Sequence, residues 1–270
     1  MNTTSFSLPA NTAKNRRMAM RVLLTLPALT LLLGSPMEVR GQMDDFSDGN
    51  DTANPSWTHN FGYVGSTGQS WTVADGAYRL QAPNNGLQGY GYVGSFVGLS
   101  YSDVRVSADF LSFSAPLGGA FGIGARLNSD NSLANLNGYG YAYEPFAANG
   151  LGEMVLYRIN NGVDLDDLNS VQVTLDPGKD YRFILDISGT TLRGSVLELG
   201  GGLVADQTVV DSTYASGVSG VFGYSSSAVG LPASDFTVDN FVVTVPEPGA
   251  GLLFGAGAAV VFAACRRRSK

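Results

Sequence analysis

The sequence has little of what most catalytic and metal sites are built from. Its 270 residues include one cysteine, Cys265, and one histidine, His59. Disulfide bonds and cysteine-based zinc sites in the body of the chain are therefore excluded. A metal centre with several histidine ligands is excluded for the same reason.

Carboxylates that could act as a catalytic pair are also scarce. Between Gln42 and Val245 the only glutamates are Glu144, Glu153 and Glu198, which stand alone in the sequence. Retaining glycosidases need two carboxyl groups about 5–5.5 Å apart, and residues i and i+2 of a strand share a face. No such spacing occurs, and no Gly-x-Ser-x-Gly motif accompanies His59. The sequence predicts a non-enzymatic protein, with a hydrolase whose carboxylate site is not recognisable as the alternative.

Long helical periodicity is absent outside the two apolar ends, and the body is predicted to be all-β. Short alternating runs recur between glycine-rich turns, a pattern typical of strands. The clearest are Val104–Phe110, Val171–Leu175 and Tyr181–Ile187. More than ten such runs over about 200 residues favour one large jelly-roll β-sandwich.

The beginning of the chain has the pattern of a secretory signal peptide. A cationic stretch ending at Arg21 precedes the apolar run Val22–Gly34, and Val39-Arg40-Gly41 fits a small-residue cleavage rule. We predict three segments: residues 1–41 as signal peptide, 42–245 as the sandwich, and 246–270 as a C-terminal tail.

The tail combines a proline motif, an apolar run and a cationic end. Pro246, Glu247 and Pro248 precede the uncharged residues Gly249–Cys265. That run is close to the shortest that spans a bilayer core of about 30 Å. Three arginines and a lysine near the end predict a cytoplasmic C-terminus and a body outside the cytoplasm; the arginines are Arg266, Arg267 and Arg268.

These three parts in this order resemble the PEP-CTERM sorting signal of exported bacterial proteins. The resemblance implies an exosortase-type processing enzyme as partner and an association with exopolysaccharide. It also implies a temporary inner-membrane tether through one transmembrane helix, followed by transfer to the cell surface or extracellular matrix. A plain C-terminal anchor is the alternative.

Residues at both ends of the body carry a second resemblance. The sequence resembles that of proteins with the concanavalin A-like lectin/glucanase fold of the laminin-G-like kind. The resemblance is carried by Asp44-Asp45-Phe46, by Trp71 with Asp75-Gly76, and by Phe236–Phe241. The resemblance implies a jelly roll whose first and last strands are adjacent. It further implies carbohydrate as the ligand class and a structural calcium ion.

The charge of the body limits its partners. Residues 42–245 contain seven cationic and twenty-one acidic side chains, a net charge near −14. Such a body is not expected to bind nucleic acid or an anionic membrane surface.

Two groups of aspartates are possible calcium ligands, because calcium takes six to eight oxygen atoms. The first contains Asp44 and Asp45, joined by Asp239 if the first and last strands are neighbours. The second is Asp164–Asp167, predicted to lie between two strands. Turn capping is the alternative for the first group, and an acidic solvated loop for the second.

Aromatic residues are the remaining binding candidates. Tyr139, Tyr141 and Tyr143 alternate, so their side chains should share one face of a strand. Trp57 lies in a polar stretch unlike a core strand. We predict these four residues as a carbohydrate platform, with partly buried sheet packing as the alternative for the tyrosines. The predicted function is a lectin-like, non-catalytic matrix protein; the alternatives are a glycan hydrolase and a ligand-free scaffold.

Overall fold

A computed structural model describes residues 41–60, 68–82, 91–114, 119–128, 135–145, 150–162, 164–225 and 234–245. These residues form two antiparallel sheets, as the all-β prediction requires. The fifteen strands within them are β1 (Gln42–Asp44), β2 (Trp57–Asn60), β3 (Ser70–Ala74), β4 (Ala77–Ala82), β5 (Gly91–Tyr101), β6 (Val104–Ser114), β7 (Ala120–Leu127), β8 (Gly138–Glu144), β9 (Glu153–Asn160), β10 (Asp164–Gln172), β11 (Tyr181–Ser188), β12 (Thr191–Glu198), β13 (Leu203–Val210), β14 (Gly217–Ser225) and β15 (Ser234–Thr244).

The eight-stranded sheet has the order β13-β12-β11-β6-β15-β4-β3, with β1 also paired to β15. The first and last strands are therefore neighbours, as predicted: Gln42 lies opposite Val243 and Asp44 opposite Phe241. The seven-stranded sheet has the order β10-β9-β8-β7-β14-β5-β2.

The main core lies between the two sheets. Alternate residues of β6 and β11 face it from the eight-stranded sheet, for example Phe110 and Phe183, whose ring centroids are 4.3 Å apart. Phe121 and Ile123 of β7 face it from the other sheet. This large aromatic core supplies the apolar burial that small secreted domains often replace with disulfides.

Most predicted strands are found with small shifts at their ends. The run Val104–Phe110 lies within β6, and Tyr181–Ile187 matches β11 to one residue. The prediction for Val171–Leu175 was misplaced, because the strand there begins earlier, at Asp164. No helix within the described ranges is long and apolar enough to cross a membrane.

Candidate functional site

The outer face of the seven-stranded sheet, turned away from the main core, is rich in rings. We call it the aromatic face and define it by Tyr92, Phe96, Tyr157, Phe222 and Tyr224, on strands β5, β9 and β14. With their apolar neighbours these residues form a second cluster, separate from the main core. The registers of β14 with β5 and of β8 with β9 set the rings side by side across the sheet.

The middle of the aromatic face is a floor of small residues. On β7 and β8 most positions that face outward are Gly or Ala, including Gly122, Gly124, Gly140 and Ala142. A Cβ atom added at Gly140 would lie 2.8 Å from the Cζ atom of Phe222. The ring of Phe222 therefore lies over the glycine floor, and only glycine leaves room for it there.

A carboxylate stands at one end of this floor. Glu144, the last residue of β8, accepts hydrogen bonds at Oε1 from the hydroxyl groups of Tyr157 and Tyr224, the latter at 2.6 Å. The two tyrosines come from opposite sides of the floor, on β9 and β14. Glu144 thus links Tyr157 and Tyr224 across the floor.

Glu144 has further acidic neighbours on the same face. Register places Glu153 directly opposite Glu144 on β9, and Asp167 of β10 lies opposite Tyr157. Burial raises the pKa of Glu144 above its ordinary value, the Tyr224 hydrogen bond opposes that rise, and the charges of Asp167 and Glu153 add to it. Desolvation, followed by the Glu153 charge, raises the pKa of Asp167. This grouping could not be predicted from the sequence, because the three residues come from three strands.

The predicted tyrosine platform has a different place. Tyr139, Tyr141 and Tyr143 do share one face of β8, but that face is the inner one, and all three are buried in the main core. A Cβ atom at Gly194 of β12 would meet the ring of Tyr141 at 2.4 Å, so this ring crosses to the opposite sheet. The platform interpretation is corrected to a packing role, since rings enclosed between the two sheets cannot stack on a sugar.

The hydroxyl groups of this row serve the interior as well. Tyr139 donates to Asp211 at 2.5 Å, and Tyr143 accepts a hydrogen bond from the backbone of Leu175 at 3.1 Å. Burial raises the pKa of Tyr141. These contacts fix the loops that follow β10 and β13.

Trp57 is also corrected, from an exposed sugar-binding residue to a core residue. Its ring lies 4.7 Å from Phe241 and 5.7 Å from Phe46. Its Nε1 atom donates to Asp44 Oδ2 at 2.7 Å, while the backbone of Phe46 donates to Asp44 Oδ1 at 2.8 Å. These contacts join β1, β2 and β15 and bring together residues that lie far apart in the sequence.

The proposed calcium ligands do not fit a calcium site. Asp44 is buried, with a pKa raised mainly by desolvation, and both its oxygens are occupied by Trp57 and Phe46. Asp45 accepts from Ser47 at 2.7 Å, and Asp239 accepts from Asn240 at 2.6 Å. Among the residues that the structure describes, no group of three or more His, Cys, Asp or Glu side chains could hold a metal ion. The donors of the first group are engaged as turn caps and structural acceptors instead.

The second aspartate group lies in β10 rather than in a loop, and its members separate onto two faces. Asp166 pairs with Arg158 at 2.9 Å, on the side opposite to Asp167. This alternation follows from the two-residue period of a strand. The side chains of Asp166 and Asp167 therefore do not form a shared cation site.

His59 lies in β2 and not in a loop. It is 2.7 Å from Asp51, and its ring stacks on Trp71 with a centroid distance of 4.7 Å.

A pocket of about 330 Å³ lies elsewhere, on the eight-stranded sheet, and is lined by Arg79, Ser112, Phe113, Asp235 and Thr237. Asp235 there is held by Arg79 and Gln81.

Residues 244–268 match the family model described as the PEP-CTERM protein-sorting motif. The chain carries a sorting motif at its C-terminal end. The match contains the residues predicted to act in sorting and topology, and all of them lie outside the described residues. They are Pro246, Glu247, Pro248, Arg266, Arg267 and Arg268. A search of curated proteins finds no match.

Solved structures share the fold at low sequence identity. The CBM2 module of the evolved Dit protein from Lactobacillus casei BL23 phage J-1 aligns with TM-score 0.53 and 13% identity, covering 77% of this chain and 97% of that one. A prokaryotic β-1,3-1,4-glucanase (lichenase) from a mouse hindgut metagenome aligns with TM-score 0.53 and 10% identity, covering 76% and 99%. Peanut lectin aligns with TM-score 0.51 and 12% identity, covering 77% and 98%.

The fold is a concanavalin A-like jelly roll. In this jelly roll the aromatic face is the candidate site that sequence reasoning missed. A signal for it was present, because Tyr92, Phe96, Phe222 and Tyr224 alternate with glycine and small residues in β5 and β14. Nothing in the sequence alone distinguishes that alternation from the Gly/Tyr alternation of β8, whose rings face the core.

Proposed function

We propose that residues 42–245 form an exported, non-catalytic glycan-binding module that uses the aromatic face to bind polysaccharide. The observation that carries the proposal is a set of rings on the face turned away from the main core, among them the partly exposed Phe222, beside a floor of small residues with the Glu144 carboxylate among the tyrosine hydroxyls at its end. Aromatic faces beside a few fixed polar groups are typical of small-molecule and sugar sites. The lectin and carbohydrate-module neighbours support the ligand class.

The sorting motif supports the location. A body sorted through a PEP-CTERM tail would be tethered in the inner membrane, processed by an exosortase-type enzyme, and released to the cell surface or matrix. At the surface or in the matrix the acidic body would then be able to meet exopolysaccharide. We therefore propose exopolysaccharide as the physiological ligand.

The test is retention of the purified body, residues 42–245, on the exopolysaccharide of the producing cells and on a glycan panel. Binding is measured with added calcium and with chelator, because the described residues offer no metal site. We expect retention that chelator leaves unchanged. Absence of retention on every glycan would contradict the proposal and favour a ligand-free scaffold.

A glycan hydrolase is the second candidate, and one observation favours it. Glu144 and Glu153 are directly opposite on neighbouring strands, where Cβ atoms are about 4.5–5.5 Å apart. The raised pKa of Glu144 suits a general acid beside a second carboxyl group. Release of reducing ends by the purified body, abolished by Glu144→Gln and by Glu153→Gln in folded protein, would establish the enzyme in place of the binding module.

A further inference from the structure

The pocket of about 330 Å³ lies on the outer face of the eight-stranded sheet, on the side of the molecule opposite to the aromatic face. Its central residue is Thr237 of β15, which lies opposite Ser112 of β6 on one side and opposite Arg79 of β4 on the other. Asp235, two residues before Thr237, points to the same face of β15. Three neighbouring strands therefore bring two hydroxyl groups, a guanidinium group and a carboxylate together.

A β-bulge lies beside this pocket. The register of β6 with β15 shifts here, since Phe110 lies opposite Val238 but the next paired residue of β6 is Ser112. Leu111 is the extra residue, and a bulge of this kind bends the strand and re-aims the side chains that follow it. On its other side β6 pairs with β11 only as far as Phe110. Among the described strands none therefore covers the Ser112 side of the pocket.

The two charged groups of the pocket hold each other in a fixed arrangement. The Nε atom of Arg79 donates to Oδ1 of Asp235 at 2.8 Å, and Nη2 donates to Oδ2. Gln81 donates to Oδ2 of Asp235 at 2.9 Å and accepts from the hydroxyl group of Ser70 at 2.8 Å. The hydrogen bonds from Arg79, with that from Gln81, hold the pKa of Asp235 below its ordinary value. The carboxylate is therefore an ionised, pre-oriented acceptor, and a pre-oriented group loses little freedom when a ligand binds.

Hydrogen-bonding capacity remains on the members of this group. The pair with Asp235 uses one N–H at Nε of Arg79 and one at Nη2, which leaves both N–H groups of Nη1. Nη1 and the hydroxyl groups of Ser112 and Thr237 form no hydrogen bond to another residue that the structure describes. The side chain of Arg79 is 52% exposed and that of Asp235 is 23% exposed, so a ligand can reach both. Phe113 adds an apolar wall.

We propose that this pocket binds one neutral hexose unit, as a saccharide site separate from the aromatic face. Asp235 accepts a hydrogen bond from one sugar hydroxyl, and Nη1 of Arg79 donates to a neighbouring one. The hydroxyl groups of Ser112 and Thr237 donate to or accept from the remaining sugar oxygens. Binding here does not depend on polysaccharide binding by the aromatic face.

Size and charge define the class of ligand. A volume of about 330 Å³ is at the lower end of the range of ligand pockets, about 300–1,000 Å³, and suits a single sugar ring. The arginine–aspartate pair has no net charge, and the body around it has a net charge near −14. An acidic sugar would be repelled by that field, so the ligand is expected to be uncharged.

The test uses the full chain in a detergent without a sugar headgroup. The probes are the methyl glycosides of glucose, galactose and mannose, with methyl glucuronoside as the acidic counterpart, and binding is measured by saturation-transfer NMR titration. Thr237→Val removes one pocket hydroxyl at nearly constant shape. Thr72→Val makes the same change on β3, opposite Arg79 but outside the pocket lining, and is the matched control. We expect at least one neutral glycoside to bind, about fivefold more weakly to Thr237→Val and equally well to Thr72→Val.

A second measurement locates the site without any substitution. A diazirine derivative of the glycoside that binds is photolysed with the native chain, and the labelled peptides are identified by mass spectrometry. We expect labels on the peptides that contain Ser112 and Thr237. Labels confined to β5, β9 and β14 would overturn the proposal.

Three further outcomes would also overturn it: no neutral glycoside binds, the glucuronoside binds more tightly than the neutral probes, or Thr72→Val weakens binding as much as Thr237→Val. Phe222→Ala separates the pocket from the aromatic face. Binding that persists in Phe222→Ala and falls in Thr237→Val supports the pocket, whether or not the chain is retained on polysaccharide. Binding that falls only in Phe222→Ala contradicts the pocket and supports the aromatic face.

Discussion

The two outer faces of the sandwich differ in chemistry although both sheets share one core. The outer face of the eight-stranded sheet is an ionic face, where arginines and aspartates pair across neighbouring strands: Arg79 with Asp235, Arg105 with Asp186, Arg182 with Asp109, and Arg193 with Asp206. The aromatic face instead carries rings, small residues and carboxylates that form no salt bridge with a cation in the described part of the chain. The first is suited to water and the second to a contact, which is why the proposed binding role falls on the aromatic face.

The ionic face is an ordered arrangement rather than scattered charge. Asp186 lies between Arg193 and Arg105 in register, so charges alternate from strand to strand. The hydrogen bonds of Arg79 hold the pKa of Asp235 below its ordinary value, and those of Arg193 do the same for Asp206. Opposite-charge pairs at such cross-strand positions favour the native register over a shifted one.

The largest expected effect comes from filling the glycine floor. A Cβ atom at Gly122 would lie 2.2 Å from the carbonyl oxygen of Tyr141, so Gly122→Val should cost at least about 2 kcal/mol of unfolding free energy. Ser112→Val on the ionic face should change it by less than about 0.5 kcal/mol. Chemical denaturation of both variants provides the measurement, and equal costs would contradict the assigned geometry.

The next effect concerns binding. Phe222→Ala should weaken glycan affinity at least about tenfold, because truncation of an aromatic residue at the centre of a contact costs more than about 1.4 kcal/mol. Ile184→Ala, a partly buried apolar residue on the ionic face, is the control and should leave affinity unchanged. Affinity is measured by titration on folded protein, with unfolding midpoints recorded for both. Equal losses would remove the distinction between the faces.

The next prediction compares the unfolding free energies of two aspartate variants within the ionic face. Asp109 is 3% exposed and accepts two hydrogen bonds from Arg182 and one from Asn240. Asp109→Asn should therefore cost about 1.5–3 kcal/mol, the range for hydrogen bonds to charged groups. Asp186, 25% exposed, forms a surface pair, and Asp186→Asn should cost at most about 1 kcal/mol. Thermal or urea unfolding distinguishes the two, and a larger loss at Asp186 would contradict this ranking.

The smallest effect is a difference in pH response between the faces. A raised pKa means that folded Glu144 holds its proton more tightly than unfolded Glu144, so its contribution is present below the ordinary pKa of 4.5 and is lost as pH rises through the folded value. Asp235 has a lowered pKa, so its contribution is present above 3.8 and is lost as pH falls.

Unfolding of Glu144→Gln and Asp235→Asn between about pH 3 and pH 7 tests these signs. Relative to the native sequence, Glu144→Gln should gain stability as pH rises. Asp235→Asn should lose stability over the same range. A common trend in both variants would show that the carboxyl environments of the two faces do not differ in this way.

Much of the architecture followed from local pattern. Alternation at Tyr181–Ile187 predicted β11, and the turn at Asp75-Gly76 predicted the hairpin of β3 and β4, because strand period and turn chemistry are set by adjacent residues. The sorting motif is equally local, since three consecutive segments define it. The adjacency of the first and last strands came from the family resemblance and is confirmed by the pairing of β1 with β15.

The candidate site could not be obtained in the same way. Alternation showed that Tyr139, Tyr141 and Tyr143 share a face, but a strand with small residues on its other side gives no sign of which face is inside. The pairing of Glu144 with Glu153 and the contact of Trp57 with Asp44 depend on which strands become neighbours.

The sequence by itself determined an all-β acidic body with no cysteine and a single histidine, and a C-terminal sorting motif. Each of these depends on composition or on residues close together in the chain. Only the tertiary structure decided which rings face the core, which form the aromatic face, and which carboxylates meet there. Those outcomes depend on sheet order and register, which arise from contacts between residues far apart in sequence.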